Sequence, residues 1–143
     1  MTIQKITWKE DLNVGYSLID GHHKKLVSLI NELTTVLASP PDIAKKNIGK
    51  VLKSIIDYTI YHFTAEEAVM RRYKYPKYEE HKKIHDDFVA TMQHSQIPLL
   101  SGDIQKGIEF YNFLCVWLLD HIAVTDKMWA EFIRENYPDA QIE

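Results

Sequence analysis

His81 and His85 stand four residues apart in the run His81-Lys82-Lys83-Ile84-His85. Four residues turn an α-helix by about 400°, so both imidazoles leave one face, one turn apart. Such a pair can chelate a transition metal, because neutral imidazole suits iron, zinc, copper or nickel. Lys82 rules out the His-Glu-x-x-His protease motif, whose general base would occupy that position. The four-residue spacing recurs with a carboxylate in His62 and Glu66, and His121 precedes Asp126 by five. His23 lies three residues before Leu26, on the same apolar stripe. Five imidazoles and two carboxylates facing inward would each cost several kcal/mol if buried without partners, and a cation relieves all of them at once. They are too many donors for one ion and suit two. With both carboxylates bridging and one solvent-derived bridge added, an ion with three histidines has six ligands. An ion with two has five and one open position, room for one small molecule.

Four segments must bring these donors together. Apolar residues recur every three or four positions over about 20–38 (Leu26, Ile30, Leu33, Leu37), 42–73 (Ile48, Leu52, Ile55, Tyr58, Val69), 76–96 (Phe88, Val89, Met92) and 103–135 (Phe110, Phe113, Leu114, Trp117, Leu118). That is the period of an amphipathic helix. Asp20, Asp42 and Asp103 are candidate N-caps. Ser39-Pro40-Pro41 ends the first helix, Pro76 parts the second from the third, and Pro98 with Ser101-Gly102 makes the last loop. Short loops make sequential helices antiparallel neighbours. The expectation is an all-α, up-down-up-down antiparallel four-helix bundle, one domain over residues 1–143. Residues 1–18 lack helical periodicity and read as an ordered N-terminal arm that lays Trp8, Leu12 and Val14 on the domain. Of two adjacent histidines the stripe favours His23, which shares a face with Leu26, Ile30 and Leu33. His22, about 100° away, reads as exposed, and so does His94.

Composition narrows the class. Hydrophobic residues make up 45% and the formal net charge is −3, so the chain is foldable and lacks the basic balance of a nucleic-acid binder. The single cysteine, Cys115, excludes an intrachain disulfide and any cysteine-rich cluster. Met1 to Glu10 holds no apolar signal-peptide core. Ile108 to Val124 is interrupted by Glu109, Asp120 and His121, which argues against membrane insertion. A cytoplasmic location is the default expectation.

The stretches Ile19-Asp20-Gly21-His22-His23-Lys24-Lys25-Leu26, His62-Phe63-Thr64-Ala65-Glu66-Glu67, Tyr75-Pro76 through His81-x-x-x-His85, and Trp117-Leu118-Leu119-Asp120-His121-Ile122 with Asp126 together resemble the hemerythrin family, in particular its bacterial members. They span residues 19 to 126 in the family's order. The resemblance implies two iron ions per chain, a non-haem di-iron centre with an oxo or hydroxo bridge that binds O2 reversibly. It implies His81, His85 and His121 on the six-coordinate iron, His23 and His62 on the O2-binding iron, and Glu66 and Asp126 as bridges.

An oxygen carrier, store, delivery protein or sensor is therefore the expected function, with O2 as the ligand and an O2-consuming enzyme as one conceivable partner. The alternative is a di-iron enzyme with oxidase, peroxidase or nitric-oxide-processing activity. The carboxylate-rich oxidases use Glu-x-x-His pairs, and none occurs in this chain. One open position also leaves little room for a second substrate, which favours binding over turnover. Reversible binding needs a dry pocket. Helix phase offers Leu26, Phe63, Trp117, Leu118 and Ile122 as its walls.

One spacing conflicts with an ideal helix. Five residues turn about 500°, leaving His121 and Asp126 about 140° apart. For both to reach one centre, the fourth helix must depart from α geometry between Ile122 and Asp126. A π-bulge would do this, and such bulges favour functional sites.

Overall fold

A computed structural model describes residues 5–100 and 103–142. Its helices are α1 (Ser17–Leu37), α2 (Pro41–Arg72), α3 (Tyr78–Leu100), α4 (Ile104–Asp120) and α5 (Lys127–Asn136). A π-helical turn, His121–Asp126, joins α4 to α5 as one continuous rod, so the architecture is a four-helix bundle. No strand occurs among the described residues. α1 packs on α2 and α4, α2 on α3 and α4, and α3 on α4. A Cβ at Gly107 would sit 2.6 Å from Leu37 Cδ2, so glycine sets how closely α4 approaches α1.

The helix ends show which sequence signals operated. α1 starts three residues before Asp20, and Tyr16 at its N-cap offers no side-chain bond. The expectation that Asp20 caps this helix is corrected. Asp20 is buried, and its carboxylate accepts the Val14 N–H at 2.7 Å and the Gly15 N–H at 3.2 Å. It anchors the arm, where Gly15 takes a φ of 102°. α2 begins at Pro41, whose fixed φ and missing N–H suit a first helical position, and Asp42 lies in its first turn without capping it. Asp103 does cap α4, accepting from the Lys106 N–H at 3.1 Å. α2 stops where Lys74 takes a positive φ of 57°, with Tyr75 N–H on Met70 O (2.9 Å) and Lys74 N–H on Arg71 O (3.2 Å), a Schellman closure. α3 runs past Pro98 and ends two residues later, so that proline belongs to the last turn of the helix and not to the loop. Ser101 and Gly102 lie outside the described residues.

The arm is tied down along its described length. Asn31 grips Ile6 through both ends of its amide, 2.8 Å to the N–H and 2.9 Å to the carbonyl. Arg134 donates to Val14 O at 2.7 Å, and Lys127 donates to Asp11 O.

Two apolar clusters result. The larger contains Leu26, Ile30, Leu33, Leu52, Ile55, Phe63, Phe88, Leu114, Leu118 and Ile122. The smaller joins Val14, Ile19, Met70, Tyr75, Trp129 and Ile133 from the arm and the opposite ends of the helices. His23 lies in sequence between Ile19 and Leu26, His62 and Glu66 flank Phe63 and precede Met70, and His121 and Asp126 fall between Leu118 and Trp129. The polar donors therefore form a layer between two apolar layers. The stretch Ile104–Asn136 is long and apolar enough to cross a membrane by length and composition, more so than its interrupted middle suggests. Its buried face carries His121 and Asp126 into the bundle.

Candidate metal centre

Each helix delivers donors to this layer. α1 brings His23; α2 brings His62 and Glu66; α3 brings His81 and His85; the π turn brings His121 and Asp126. All seven side chains are buried, and His23, Glu66 and Asp126 are wholly so. The π turn widens the helix by one residue per turn and returns His121 and Asp126 to one face. His121 Nε2 lies 3.0 Å from Asp126 Oδ1. The departure from α geometry expected of this i, i+5 pair is present.

The donors fall into two groups that share both carboxylates. One comprises His81, His85, His121, Glu66 and Asp126; the other comprises His23, His62, Glu66 and Asp126; within each group the candidate ligand atoms lie within 4.8 Å of one another. In the first, His85 Nε2 is 3.0 Å from His81 Nε2 and 3.1 Å from His121 Nε2. Those spacings match one face of an octahedron, since metal–nitrogen bonds of about 2.1 Å at right angles hold nitrogens about 3.0 Å apart. In the second, His62 Nε2 is 3.0 Å from Glu66 Oε1, and His23 Nε2 is 3.1 Å from Asp126 Oδ2 and 3.7 Å from Glu66 Oε2. The buried atoms His23 Nδ1, His23 Nε2, Glu66 Oε1 and Asp126 Oδ2 have no hydrogen-bond partner among the described residues. Polar atoms orphaned in a dry layer are costly, and three of these four point into the donor cluster. The site fits a pair of cations.

The electrostatics agree. Burial and the nearby Asp126 would raise the Glu66 pKa, but His62 and His23 outweigh them and hold it well below the carboxylate range. Burial acts likewise on Asp126 and is reversed by His121, His23 and His81. Burial disfavours a charge on His23, yet Asp126 and Glu66 overcome it and raise its pKa to about 10. His121 is raised for the same reason, chiefly by Asp126 against burial. Burial lowers His85 despite Glu67 beside it.

Three residues of the site escaped sequence reasoning. Glu67, 13% exposed, lies 2.9 Å from His85 Nδ1 and accepts its proton, leaving Nε2 free for a metal. The doublet Glu66-Glu67 was a signal, since the second acid faces α3. Trp129 is fully buried, and its indole N–H is aimed between Glu66 Oε2 (3.3 Å) and Asp126 Oδ1 (3.4 Å). Its place three residues after Asp126 put it on the same face. His22 is the third, and its expected exposure is corrected: it is 7% exposed, with Nδ1 3.0 Å from His62 Nδ1. Burial, with His62 and His23 nearby, pushes its pKa below the ordinary histidine value. His94 is exposed.

The wall residues surround this layer unevenly. Leu26, Phe63, Leu118 and Ile122 are buried in the larger cluster, and Trp117 packs against it half-buried. Phe63 stacks on His85 (centroids 3.7 Å, planes 1° apart), and Trp117 stacks on His121 (4.4 Å, 13°).

A helical bundle with a histidine-rich layer and two shared carboxylates defines a dinuclear non-haem metal protein. Comparison with known proteins makes this specific. The hemerythrin HHE cation-binding domain matches residues 14–133. The bacteriohemerythrin of Pseudomonas aeruginosa is 31% identical over 131 residues, 92% of this chain and 83% of that protein. The myohemerythrin of Theromyzon tessulatum is 34% identical over 119 residues, 83% of this chain and 86% of that protein. A crystal structure of a hemerythrin leucine-to-alanine variant superposes with a TM-score of 0.77 at 25% identity, covering 90% of this chain and 97% of that one. The chain belongs to the hemerythrin family.

Proposed function

We propose that this chain binds O2 reversibly at two iron ions, with His81, His85 and His121 on one, His23 and His62 on the other, and Glu66 and Asp126 bridging. The observation that carries it is the pair of donor groups, three histidines and two, that share both carboxylates. When bound, the iron pair supplies one electron from each ion and one open position for the ligand. The protein supplies the rest. Glu66 and Asp126 offset the charge of the ions within the dry layer. Glu67 fixes the His85 tautomer. Trp129 directs one N–H at both carboxylates, which limits how far either can swing. Leu26, Phe63, Trp117, Leu118 and Ile122 exclude water, which would otherwise promote loss of reduced oxygen and leave an oxidised centre.

The unequal donor groups, three histidines against two, support binding in preference to turnover. Carrier, storage, delivery to an O2-consuming partner and sensing would all draw on the same chemistry. Iron is favoured over other metals by family membership, because histidine and carboxylate would also hold others. The test is an optical spectrum of the anaerobically reduced, iron-loaded protein, repeated after O2 and again after degassing, alongside iron analysis. A spectral change that reverses, with two irons per chain, is expected. One ion per chain, or an irreversible change on first exposure, would refute the reading.

A further inference from the structure

His62 and His22 face each other across α2 and α1 with their Nδ1 atoms 3.0 Å apart and their rings nearly perpendicular, at 84°. Only one hydrogen can lie between those two nitrogens. A histidine that offers Nε2 to a metal carries its hydrogen on Nδ1. His62 Nε2 is the atom turned into the donor cluster, 3.0 Å from Glu66 Oε1; with a metal on that nitrogen, His62 Nδ1–H would be the donor and His22 Nδ1 the acceptor. His22 is itself held in place. Tyr58 lies edge-on to it at 5.9 Å and Tyr61 lies tilted at 5.4 Å, the two tyrosines 5.7 Å from each other.

We propose that His22 is a positioning residue of the two-histidine half: it accepts the His62 Nδ1–H and so fixes the tautomer and orientation of the ring beside the O2 position. The inference rests on the di-iron reading above and adds a second claim. A carboxylate acceptor such as Glu67 draws the ring proton strongly and makes its histidine a stronger metal donor. A neutral imidazole draws it less. His62 is therefore the weaker donor of the two oriented histidines, and its ion keeps more affinity for an added ligand.

The test uses three variants of the full chain. His22→Gln keeps an oxygen that can accept the hydrogen bond. His22→Met has similar volume and offers no comparable acceptor. His22→Glu installs the anionic acceptor of the other half. Anaerobic titration with ferrous iron should show the second ion binding about 10–100-fold more weakly in His22→Met, with the first ion unchanged and His22→Gln close to wild type. In the zinc-loaded protein, where the metal itself keeps the hydrogen on Nδ1, nitrogen–proton correlation spectra should show the His62 Nδ1–H downfield and slow to exchange in the wild type and His22→Gln, and upfield and fast to exchange in His22→Met. In the diferric protein with azide, His22→Glu should move the azide-to-iron charge-transfer band to higher energy, since stronger donation raises the accepting orbital. Wild-type iron affinity and an unshifted His62 Nδ1–H in His22→Met would overturn the proposal, as would an unmoved band in His22→Glu, which decides the matter even if His22→Met does not fold. Failure of the wild type to bind two ions would instead bring down the di-iron reading, and this proposal with it.

Discussion

The two halves of the donor cluster are held by different means. In the three-histidine half, aromatic rings lie flat on two of the ligands, Phe63 on His85 and Trp117 on His121, and the carboxylate of Glu67 takes the outer proton of His85. In the two-histidine half, His23 has no partner for its Nδ1 among the described residues, and its ring meets that of His62 edge-on at 4.6 Å. His62 leans on His22, a neutral base. On the proposed assignment the difference suits two tasks within one site: an ion with its full set of ligands would be served by fixed histidines, and an ion that gains and loses a small molecule by histidines held less tightly. The two shared carboxylates join the halves, and Trp129 donates toward both.

The largest expected effect removes what the halves have in common. Glu66→Ala should abolish binding of the iron pair, because both groups lose a shared carboxylate and three histidines, His23, His62 and His85, lose an anionic neighbour. Metal analysis of the purified variant checks this, and two irons with native O2 binding would remove Glu66 from the bridge. The next effect is confined to one half. His23→Ala should leave one iron per chain, held by His81, His85 and His121, and no O2 response. Loss of both ions would show that the halves do not stand independently. Glu67→Gln addresses the other half: it keeps a hydrogen-bond acceptor but removes the charge. The affinity of the three-histidine half should fall by about 10-fold, at the lower end of the range for such outer partners. Unchanged affinity in a ferrous titration would deny the anion a role.

A further difference between the halves is readable in protons. Metal ligands must be deprotonated, so loading competes with protons. In the metal-free chain Asp126 and Glu66 raise His23 to about 10 against the opposing effect of burial; in the other half Asp126 raises His121 against burial, while burial lowers His85. The sign follows. A raised histidine pKa stabilises the metal-free fold below about 6.5, and that contribution is lost as pH rises through about 10. Metal must displace the same proton, so loading of the two-histidine half should strengthen by up to about tenfold per pH unit across that window. Zinc titrations at several pH values, with a dye reporting released protons, measure it. Uptake of ions by that half with no proton release between pH 7 and 9 would contradict the His23 shift.

These contrasts were only partly legible in the sequence. Helical period and proline positions gave the bundle, because burial of one stripe per helix leaves few other arrangements. The i, i+5 spacing of His121 and Asp126 demanded a widened turn, since a ligand pair cannot tolerate 140° of divergence. What the sequence hid was every contact made between helices away from the stripes. His22 lies about 100° from the α1 stripe and looked exposed; it is buried because α2 presents His62, Tyr58 and Tyr61 to it. Glu67 lies one residue off the α2 stripe and acquires its role from His85 on α3. Asp20 resembled a helix cap, but its partners are backbone N–H groups of the arm, which no local pattern announces.

The smallest expected effect concerns the wall of the pocket. Leu118 and Leu26 are buried in the larger apolar cluster, from helices that carry His121 and His23 one turn away. Truncating either to alanine leaves a cavity and costs about 2–5 kcal/mol of stability, which iron binding offsets in part because only the folded chain holds the metal. The donors are untouched, so both variants should fold and carry two irons. Apolar cavities of this kind stay dry when nothing polar lines them. This one would border imidazole and carboxylate, so water can enter and find partners. The O2-bound form should then decay to the oxidised state a few-fold faster in Leu118→Ala and Leu26→Ala. A distant core residue supplies the contrast. Ile48→Ala, in the same cluster but 14 residues before His62 on its helix, removes comparable volume away from the donors and should leave the decay rate alone. Decay rates followed optically in air-saturated buffer decide it. Equal acceleration in all three variants would mean that general loosening of the bundle admits water, and equal rates in all three would place the barrier to water at other residues.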